Sequence, residues 1–266
     1  MIIDGHTHAH GDPDGLGDRY DARIEGLVDA MDAAGVDRAL IMAEAVDVPY
    51  IKPISNAYVA ECCERFPDRL VGFASVHPAH PHAEEELHEA LTNMGLRGLK
   101  LHPRFQGVAA DDPRSVALVR VAAELGAPVA IDALLWKPTP LALQLPIRID
   151  ALCKAVPEAK IIMNHAGGFH FLDALAVAIA NDNVYLELSV ALEYFHDTPF
   201  EEQFLFVLSK VGPRRLMFGS DHPQKDMKAA LELTKRSLQR IGFSETELSW
   251  VMGKTLKAVL SPGDSL

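Results

Sequence analysis

Short apolar segments alternate with amphipathic helical segments along this sequence, and the alternation limits the available folds more than any other feature. The helical segments carry apolar residues at helical spacing, as in Ile24, Leu27 and Met31. Strands that alternate with helices form βαβ units, which build a parallel sheet. The apolar segments are residues 2–3, Arg38–Met42, Leu70–Val76, Gly98–Leu101, Pro128–Ile131, Lys160–Met163, Val184–Leu188 and Leu216–Phe218. Because eight such units close into a barrel, the sequence predicts an α/β fold, a single (β/α)8 TIM barrel.

Composition narrows the class of protein. One barrel of about 250 residues accounts for the length of 266, so we expect one domain over residues 1–266. The net charge of −12 argues against nucleic acid and anionic membrane surfaces as partners. The sequence has no long apolar run and no basic, apolar leader, so we expect neither a membrane span nor a targeting segment. Three cysteines, of which Cys62 and Cys63 are adjacent, favour the reducing cytoplasm.

Two histidines two residues apart follow the first apolar segment. Residues at this spacing project from the same face of a strand, so His6 and His8 can converge on one ion. Imidazole nitrogen is the commonest protein ligand of zinc and similar metals. The spacing alone is weak evidence in a chain with 12 histidines. Its position at the carboxyl end of a barrel strand, where barrels build their active sites, predicts a metal site.

Ionisable residues follow several other strands at the same end of the predicted barrel. Burial of unpaired ionisable groups costs desolvation free energy, so stability does not explain why they gather there. These residues, with the histidine pair, are His6, His8, Lys100, His102, Asp132, His165 and Asp221. The sequence therefore predicts an active site at this mouth of the barrel.

The segments that contain these residues resemble the amidohydrolase superfamily, and in particular its amidohydrolase-related branch. The resemblance runs from Ile3 to about Leu260. Besides the histidine pair, three segments carry it: Gly98–Pro103, Asn164–Gly168 and Phe218–Pro223. The branch contains decarboxylases of aromatic and unsaturated acids and a lactonase. The resemblance implies one bound divalent metal ion, with zinc as the first choice, and a homodimer.

The resemblance also implies roles for individual residues. His6, His8 and Asp221 would hold the metal ion, and Asp221 would also accept a proton from bound water. His165 would assist the chemistry, although a histidine at this place could also be a satisfied core residue. Where the branch has a metal-binding histidine after strand five, this chain has Asp132. Because a carboxylate also binds zinc, Asp132 is a candidate fourth ligand; a strand-end cap or a substrate contact are the alternatives.

Three basic residues cluster after the fourth strand and predict an anionic substrate. Lys100, His102 and Arg104 follow one another at alternate positions. The planar fork of arginine suits a carboxylate, so we expect a small carboxylate-bearing substrate held by these residues. The alternative is internal pairing, in which Lys100 binds an aspartate and Arg104 is solvated.

Three functions are compatible with such a site. Zinc lowers the pKa of its water from 15.7 to about 7, which supports hydrolysis of an amide, ester or lactone. The same residues could decarboxylate an aromatic or unsaturated acid. A third reading is a barrel that binds a small acid without turnover. The sequence favours the hydrolase.

Overall fold

The strands of the protein form one parallel sheet around a central axis. The computed structural model describes residues 1–12, 21–46, 52–135 and 139–261. The strands pair in chain order, each parallel to the next. They are β1 (Ile3–Thr7), β2 (Arg38–Met42), β3 (Leu70–Ser75), β4 (Leu99–Leu101), β5 (Val129–Ile131), β6 (Ile161–Met163), β7 (Val184–Glu187) and β8 (Leu216–Met217).

Helices follow the strands and cover the outside of the sheet. The longer ones are amphipathic, and α1 buries Ile24, Leu27 and Met31, the residues whose spacing predicted it. In the described ranges they are α1 (Ile24–Ala34), α2 (Asn56–Arg65), α3 (Ala83–Thr92), α4 (Pro103–Gln106), α5 (Pro113–Glu124), α6 (Pro146–Ala155), α7 (Phe171–Ala180), α8 (Ala191–Phe195), α9 (Glu201–Val211), α10 (Met227–Arg240), α11 (Glu245–Ser249) and α12 (Thr255–Leu260). Within those ranges no helix is both long enough and apolar enough to cross a lipid bilayer.

Backbone hydrogen bonds join β1 to the chain that follows β8 and close the sheet. The N–H of Gly5 donates to the carbonyl of Phe218 at 2.9 Å, and the N–H of Asp221 donates to the carbonyl of His6 at 2.8 Å. The N–H of His8 donates to the carbonyl of His222 at 2.7 Å. The predicted (β/α)8 barrel is therefore confirmed.

The inside of the barrel has an apolar floor. Ile3, Leu40, Met42, Phe73 and Met217 pack there with side chains from the neighbouring strands and from α12. A second and larger cluster lies between the sheet and the surrounding helices. Because side chains alternate along a strand, the residues above the floor on the same faces project into the barrel mouth.

One predicted helix is interrupted in the structure. The sequence pattern predicts one helix from Glu245 to Leu260, but residues Trp250–Lys254 form a wider, π-type turn between α11 and α12. Gly253 lies against the start of β1 here, and a Cβ atom at this position would come within 3.0 Å of the carbonyl oxygen of Met1. The helix is therefore interrupted at the point where Gly253 packs closely against β1.

We predict that Gly98→Ala destabilises the barrel floor. Gly98 packs on the ring of Phe73, which is fully buried, and an added Cβ would overlap that ring. Overpacking of this kind costs about 1–3 kcal/mol, which urea denaturation followed by circular dichroism should detect. The cost should be smaller in a Phe73→Leu background, which makes room for the methyl group. An equal cost in both backgrounds would contradict the packing explanation.

Candidate metal centre and active site

A bulge in β1 turns its two histidines into the barrel. Ile3 and Asp4 pair with Arg38 and Ala39, but Thr7 pairs with Ile41, so β1 has one extra residue between Asp4 and Thr7. If the same residues paired with β2 without a bulge, His6 would lie on the opposite face from Ile3, which packs in the floor.

The buried carboxylate of Asp4 supports the bulge. Its Oδ1 atom accepts hydrogen bonds from the backbone N–H of His6 at 3.1 Å and of Ser220 at 2.9 Å. Asp4 thus ties the bulge to the chain after β8. Burial raises the pKa of Asp4 to about 7.

The donor atoms of His6, His8 and Asp221 converge at the barrel mouth. The Nε2 atoms of the two histidines are 3.1 Å apart. The Oδ1 atom of Asp221 lies 3.6 Å from Nε2 of His6 and 3.5 Å from Nε2 of His8. Two donors that each lie about 2.0–2.1 Å from a tetrahedral ion are about 3.3 Å apart, so the triangle has the size of one face of a coordination shell.

Two further carboxylates lie beside the other nitrogen of each histidine, in a hydrogen bond to His6 and in a longer contact with His8. Nδ1 of His6 lies 2.9 Å from Glu187 Oε2, and Nδ1 of His8 lies 3.5 Å from Glu44 Oε1. A carboxylate partner favours the proton on Nδ1, which leaves the lone pair on Nε2 of each ring. Because these lone pairs face each other, a cation between them is favourable, and the residues fit a bound metal ion.

The charge states also suit a metal ion. Burial, and then the positive charge of Lys100, lowers the pKa of His6 well below its usual value, so the ring is neutral. Burial opposes the charge of Asp221, but the imidazoles of His6, His8 and His165 hold its pKa well below the usual range. Neutral imidazole and ionised carboxylate are the forms that bind zinc and other divalent ions.

Glu187 is the most connected of the site residues that sequence reasoning missed, which also include Asp4, Glu44 and Ser189. It is fully buried at the end of β7, and its carboxylate accepts hydrogen bonds from Ser189 Oγ at 2.8 Å and Asn164 Nδ2 at 3.2 Å, besides the contact with His6. Gly219 leaves it room, because a Cβ atom at 219 would overlap Oε1 of Glu187. The strand register shows which way Glu187 points. It lies two residues after Tyr185, which packs in the floor, so both side chains face the inside of the barrel.

His165 lies between two hydrogen-bonding groups just after β6. Its Nε2 atom lies 3.2 Å from Asp132 Oδ1, and its Nδ1 atom lies 3.0 Å from the hydroxyl of Ser189. Its backbone has φ +58°, in the left-handed region, so the turn towards Gly167 and Gly168 is tight. Burial favours a neutral ring, but the hydrogen bond and charge of Asp132 raise the pKa of His165. The raised pKa favours the protonated ring, and the two contacts fix its orientation.

The structure places Asp132 apart from the other expected ligands. Among the described residues, one group of close metal-binding atoms is His6, His8 and Asp221, and another is His6, His165 and Glu187. Asp132 is in neither group and instead lies 2.9 Å from Arg104 Nε. Burial opposes its charge, but Arg104, His102 and His165 hold the pKa of Asp132 well below the usual range.

Lys100 and His102 complete the inner wall. Lys100 has no exposed surface; its Nζ donates to Asn164 Oδ1 at 2.8 Å and lies 3.5 Å from His6 Nε2. The His102 ring stacks on Phe105 with centroids 4.2 Å apart, and burial lowers its pKa. The residues that the sequence singled out therefore meet at one mouth, and their individual roles stay predictions.

Comparison with known proteins agrees with this geometry. The sequence matches the Amidohydrolase family model over residues 3–257. No curated protein matches the sequence significantly.

Solved structures share the fold at low sequence identity. An uncharacterised TIM-barrel protein from Bordetella bronchiseptica has a TM-score of 0.80 at 18% identity, covering 97% of this chain and 98% of its own. A dihydroxybenzoic acid decarboxylase from Polaromonas, solved with manganese and the inhibitor 2-nitroresorcinol, has a TM-score of 0.74 at 15% identity, covering 97% and 96%. A probable 2-pyrone-4,6-dicarboxylic acid hydrolase from Acinetobacter baumannii, with bound citric acid, has 0.67 at 18%, covering 97% and 98%. With the family model matched over nearly its whole length, this chain belongs to the amidohydrolase family, a family of metal-dependent enzymes.

Proposed function

We propose that the protein is a metal-dependent hydrolase that cleaves an amide, ester or lactone bond in a small carboxylate-bearing substrate. The observation that carries the proposal is the convergence of His6, His8 and Asp221, with the ring of His165 beside them at a centroid distance of 4.9 Å from His6. This arrangement combines three metal ligands, a carboxylate base and an acid within one buried mouth. Hydrolysis of a carbonyl compound needs each of these parts.

One divalent ion, which we propose to be zinc, would be held by His6, His8 and Asp221. When bound, such an ion polarises a carbonyl oxygen and lowers the pKa of a coordinated water. The same donor set also accepts manganese, the ion in the Polaromonas decarboxylase structure.

Two residues would act in the reaction. Asp221 is ionised and its side chain is 15% exposed, against 2% for His6, so it faces the open side where water and substrate arrive. It would accept the proton of the attacking water and then deliver it to the leaving group. Both ring nitrogens of His165 lie against Asp132 and Ser189, so His165 would act on the carbonyl oxygen electrostatically: a ring whose raised pKa favours the protonated form stabilises negative charge that develops nearby.

The basic residues after β4 would bind the substrate carboxylate. Lys100 contributes a buried ammonium group and His102 a neutral ring on the same face. Arg104 turns Nε and one Nη towards Asp132, and a guanidinium has five N–H donors in all. The same side chain can therefore hold Asp132 and hydrogen bond to a substrate carboxylate.

Decarboxylation of an aromatic or unsaturated acid is the second candidate. The raised pKa of His165 favours it, because the carbon that loses carbon dioxide must gain a proton. The structural likeness to the Polaromonas decarboxylase is in keeping with it. The first candidate is preferred because Asp221, ionised and partly exposed, supplies the base that hydrolysis needs and decarboxylation does not.

The two reactions differ in what they release. Zinc-loaded protein should be assayed against lactones, esters and amides of small dicarboxylic acids, and against hydroxybenzoic and unsaturated acids. We expect no carbon dioxide and one new carboxylate for each bond cleaved, with one proton released from an ester or lactone and an ammonium product with no net proton from an amide. Carbon dioxide with one proton taken up would establish the decarboxylase instead. Binding of acids with no turnover of either set would leave a binding protein.

We predict that Asp221→Asn abolishes turnover while the barrel remains folded. The change removes a metal ligand and the proton acceptor together, and loss of a general base alone costs about 10²–10⁴-fold. Initial rates and circular dichroism of the purified variant check this. Turnover within a few-fold of the parent would refute the role, and loss of the circular dichroism signal would make Asp221 a structural residue.

We predict that Glu187→Gln weakens metal binding, although Glu187 is not one of the three proposed ligands. Loss of the carboxylate leaves His6 without the partner that fixes its proton on Nδ1, and such partners contribute about 10–100-fold in metal affinity. Chelator competition gives the dissociation constant. Glu44→Gln is the matched control: its contact with His8 is 3.5 Å rather than 2.9 Å, so its effect should be smaller. The reverse order of effects would contradict this account.

A further inference from the structure

Asp132 is held by groups other than the expected metal ligands. It is 1% exposed, with Oδ2 2.9 Å from Arg104 Nε and Oδ1 3.4 Å from Arg104 Nη2. Oδ1 also lies 3.2 Å from His165 Nε2. Both oxygens therefore face cations, and neither belongs to the group formed by the metal-binding atoms of β1 and Asp221.

Arg104 is itself fixed before any ligand arrives. The residue is 9% exposed, and its guanidinium carbon lies 4.4 Å from the ring centroid of Phe105, which supports its face. Gln106 anchors the short helix α4 that carries both residues. Its amide nitrogen donates to the carbonyls of Ala45 at 3.0 Å and Val76 at 3.1 Å, at the ends of β2 and β3. The cation is thus part of the barrel wall.

From this geometry we infer that Arg104 is a positioning residue that keeps Asp132 out of the metal coordination shell. The ion would then have three protein ligands, His6, His8 and Asp221, and an open side. The inference rests on the proposed function, because it takes a divalent ion to be bound by those three residues. Breaking a buried Arg–carboxylate pair leaves an uncompensated charge, so Asp132 stays with Arg104.

The number of ligands decides what kind of zinc site results. Structural zinc sites have four protein ligands, whereas catalytic sites have three and keep one position for water or substrate. Asp132 follows β5 in the same layer as His102, Asn164 and Glu187, since Lys100, Ala130, Ile162 and Tyr185 are in register below them. A carboxylate in that layer is a potential fourth ligand. By pairing with it, Arg104 keeps the site open.

The test removes the cation and measures the metal. Arg104→Met should lower the dissociation constant for Zn²⁺ at least 10-fold in chelator competition, because the freed Asp132 can join the shell. The visible absorption spectrum of the Co²⁺ form should change with the added ligand. Arg104→Lys keeps a positive charge beside Asp132 and should stay within 3-fold of the parent, with the parental Co²⁺ spectrum. Unchanged affinity and spectrum in Arg104→Met would overturn the inference.

A second background separates ligation from simple charge removal. Loss of one positive charge strengthens any nearby cation site, whether or not Asp132 becomes a ligand. In an Asp132→Asn background, Arg104→Met should therefore change the Zn²⁺ dissociation constant less than 3-fold. The same tightening in both backgrounds would overturn the inference.

Two further measurements keep the test decisive. If Arg104→Met does not fold, Arg104→Gln replaces it, because glutamine removes the positive charge but keeps a polar nitrogen near the position of arginine Nε, beside Asp132. It too should bind Zn²⁺ more tightly than the parent. Titration of the parent judges the proposed function separately. A parent that binds no divalent ion refutes the metal-dependent function; the inference then survives if Arg104→Met gains an ion, and fails if it does not.

Discussion

The hydrogen bond between Glu187 and His6 is the contact on which the geometry of the mouth depends. It joins β7 to β1 across the two-residue strand β8, inside a part of the barrel that water does not reach. The same carboxylate accepts from Asn164 and Ser189, which in turn bind Lys100 and His165. One buried acceptor thus orients the side chains of His6, Lys100 and His165, directly or through Asn164 and Ser189. Hydrogen bonds in such surroundings are stronger than in water, and an unpaired member is correspondingly costly.

The barrel mouth contains more acidic side chains than basic side chains that can carry a positive charge. The buried acids are Asp4, Glu44, Asp132 and Glu187, with the partly exposed Asp221 at the opening, and the basic groups are Lys100, Arg104 and His165, whose pKa is raised. Burial raises the pKa of Glu44, as it does that of Asp4. A divalent cation relieves this imbalance more effectively than further protonation, because it serves several carboxylates at once. The local charge and the ligand geometry therefore favour the same occupant.

Much of the barrel and part of the site could be predicted from the sequence, for identifiable physical reasons. Apolar runs reveal strands, and polar residues just after those runs reveal the mouth, which is how His6, His165 and Asp221 were found. Glu187 could not be predicted as a site residue, because a single acid within the segment Val184–Leu188 also fits an outward-facing position of a strand. Only the register with neighbouring strands shows which face it occupies. The partner of Asp132 could not be predicted either, because Arg104 reaches it from a helix that follows a different strand.

The bulge in β1 makes the direction of the two histidines depend on how the strand pairs, and not on its sequence alone. One extra residue lies between Asp4 and Thr7, so Thr7 pairs with Ile41 rather than with Met42. If the intact strand paired with β2 without the bulge, both imidazoles would turn towards the helices while Ile3 stayed in the floor. Loss of Gly5 would instead restore regular pairing with Thr7 still opposite Ile41, and His6 and His8 would keep facing the barrel mouth. The strand could therefore lose one residue here and keep its histidines in place, whereas a slip of one position in the intact strand would turn them away.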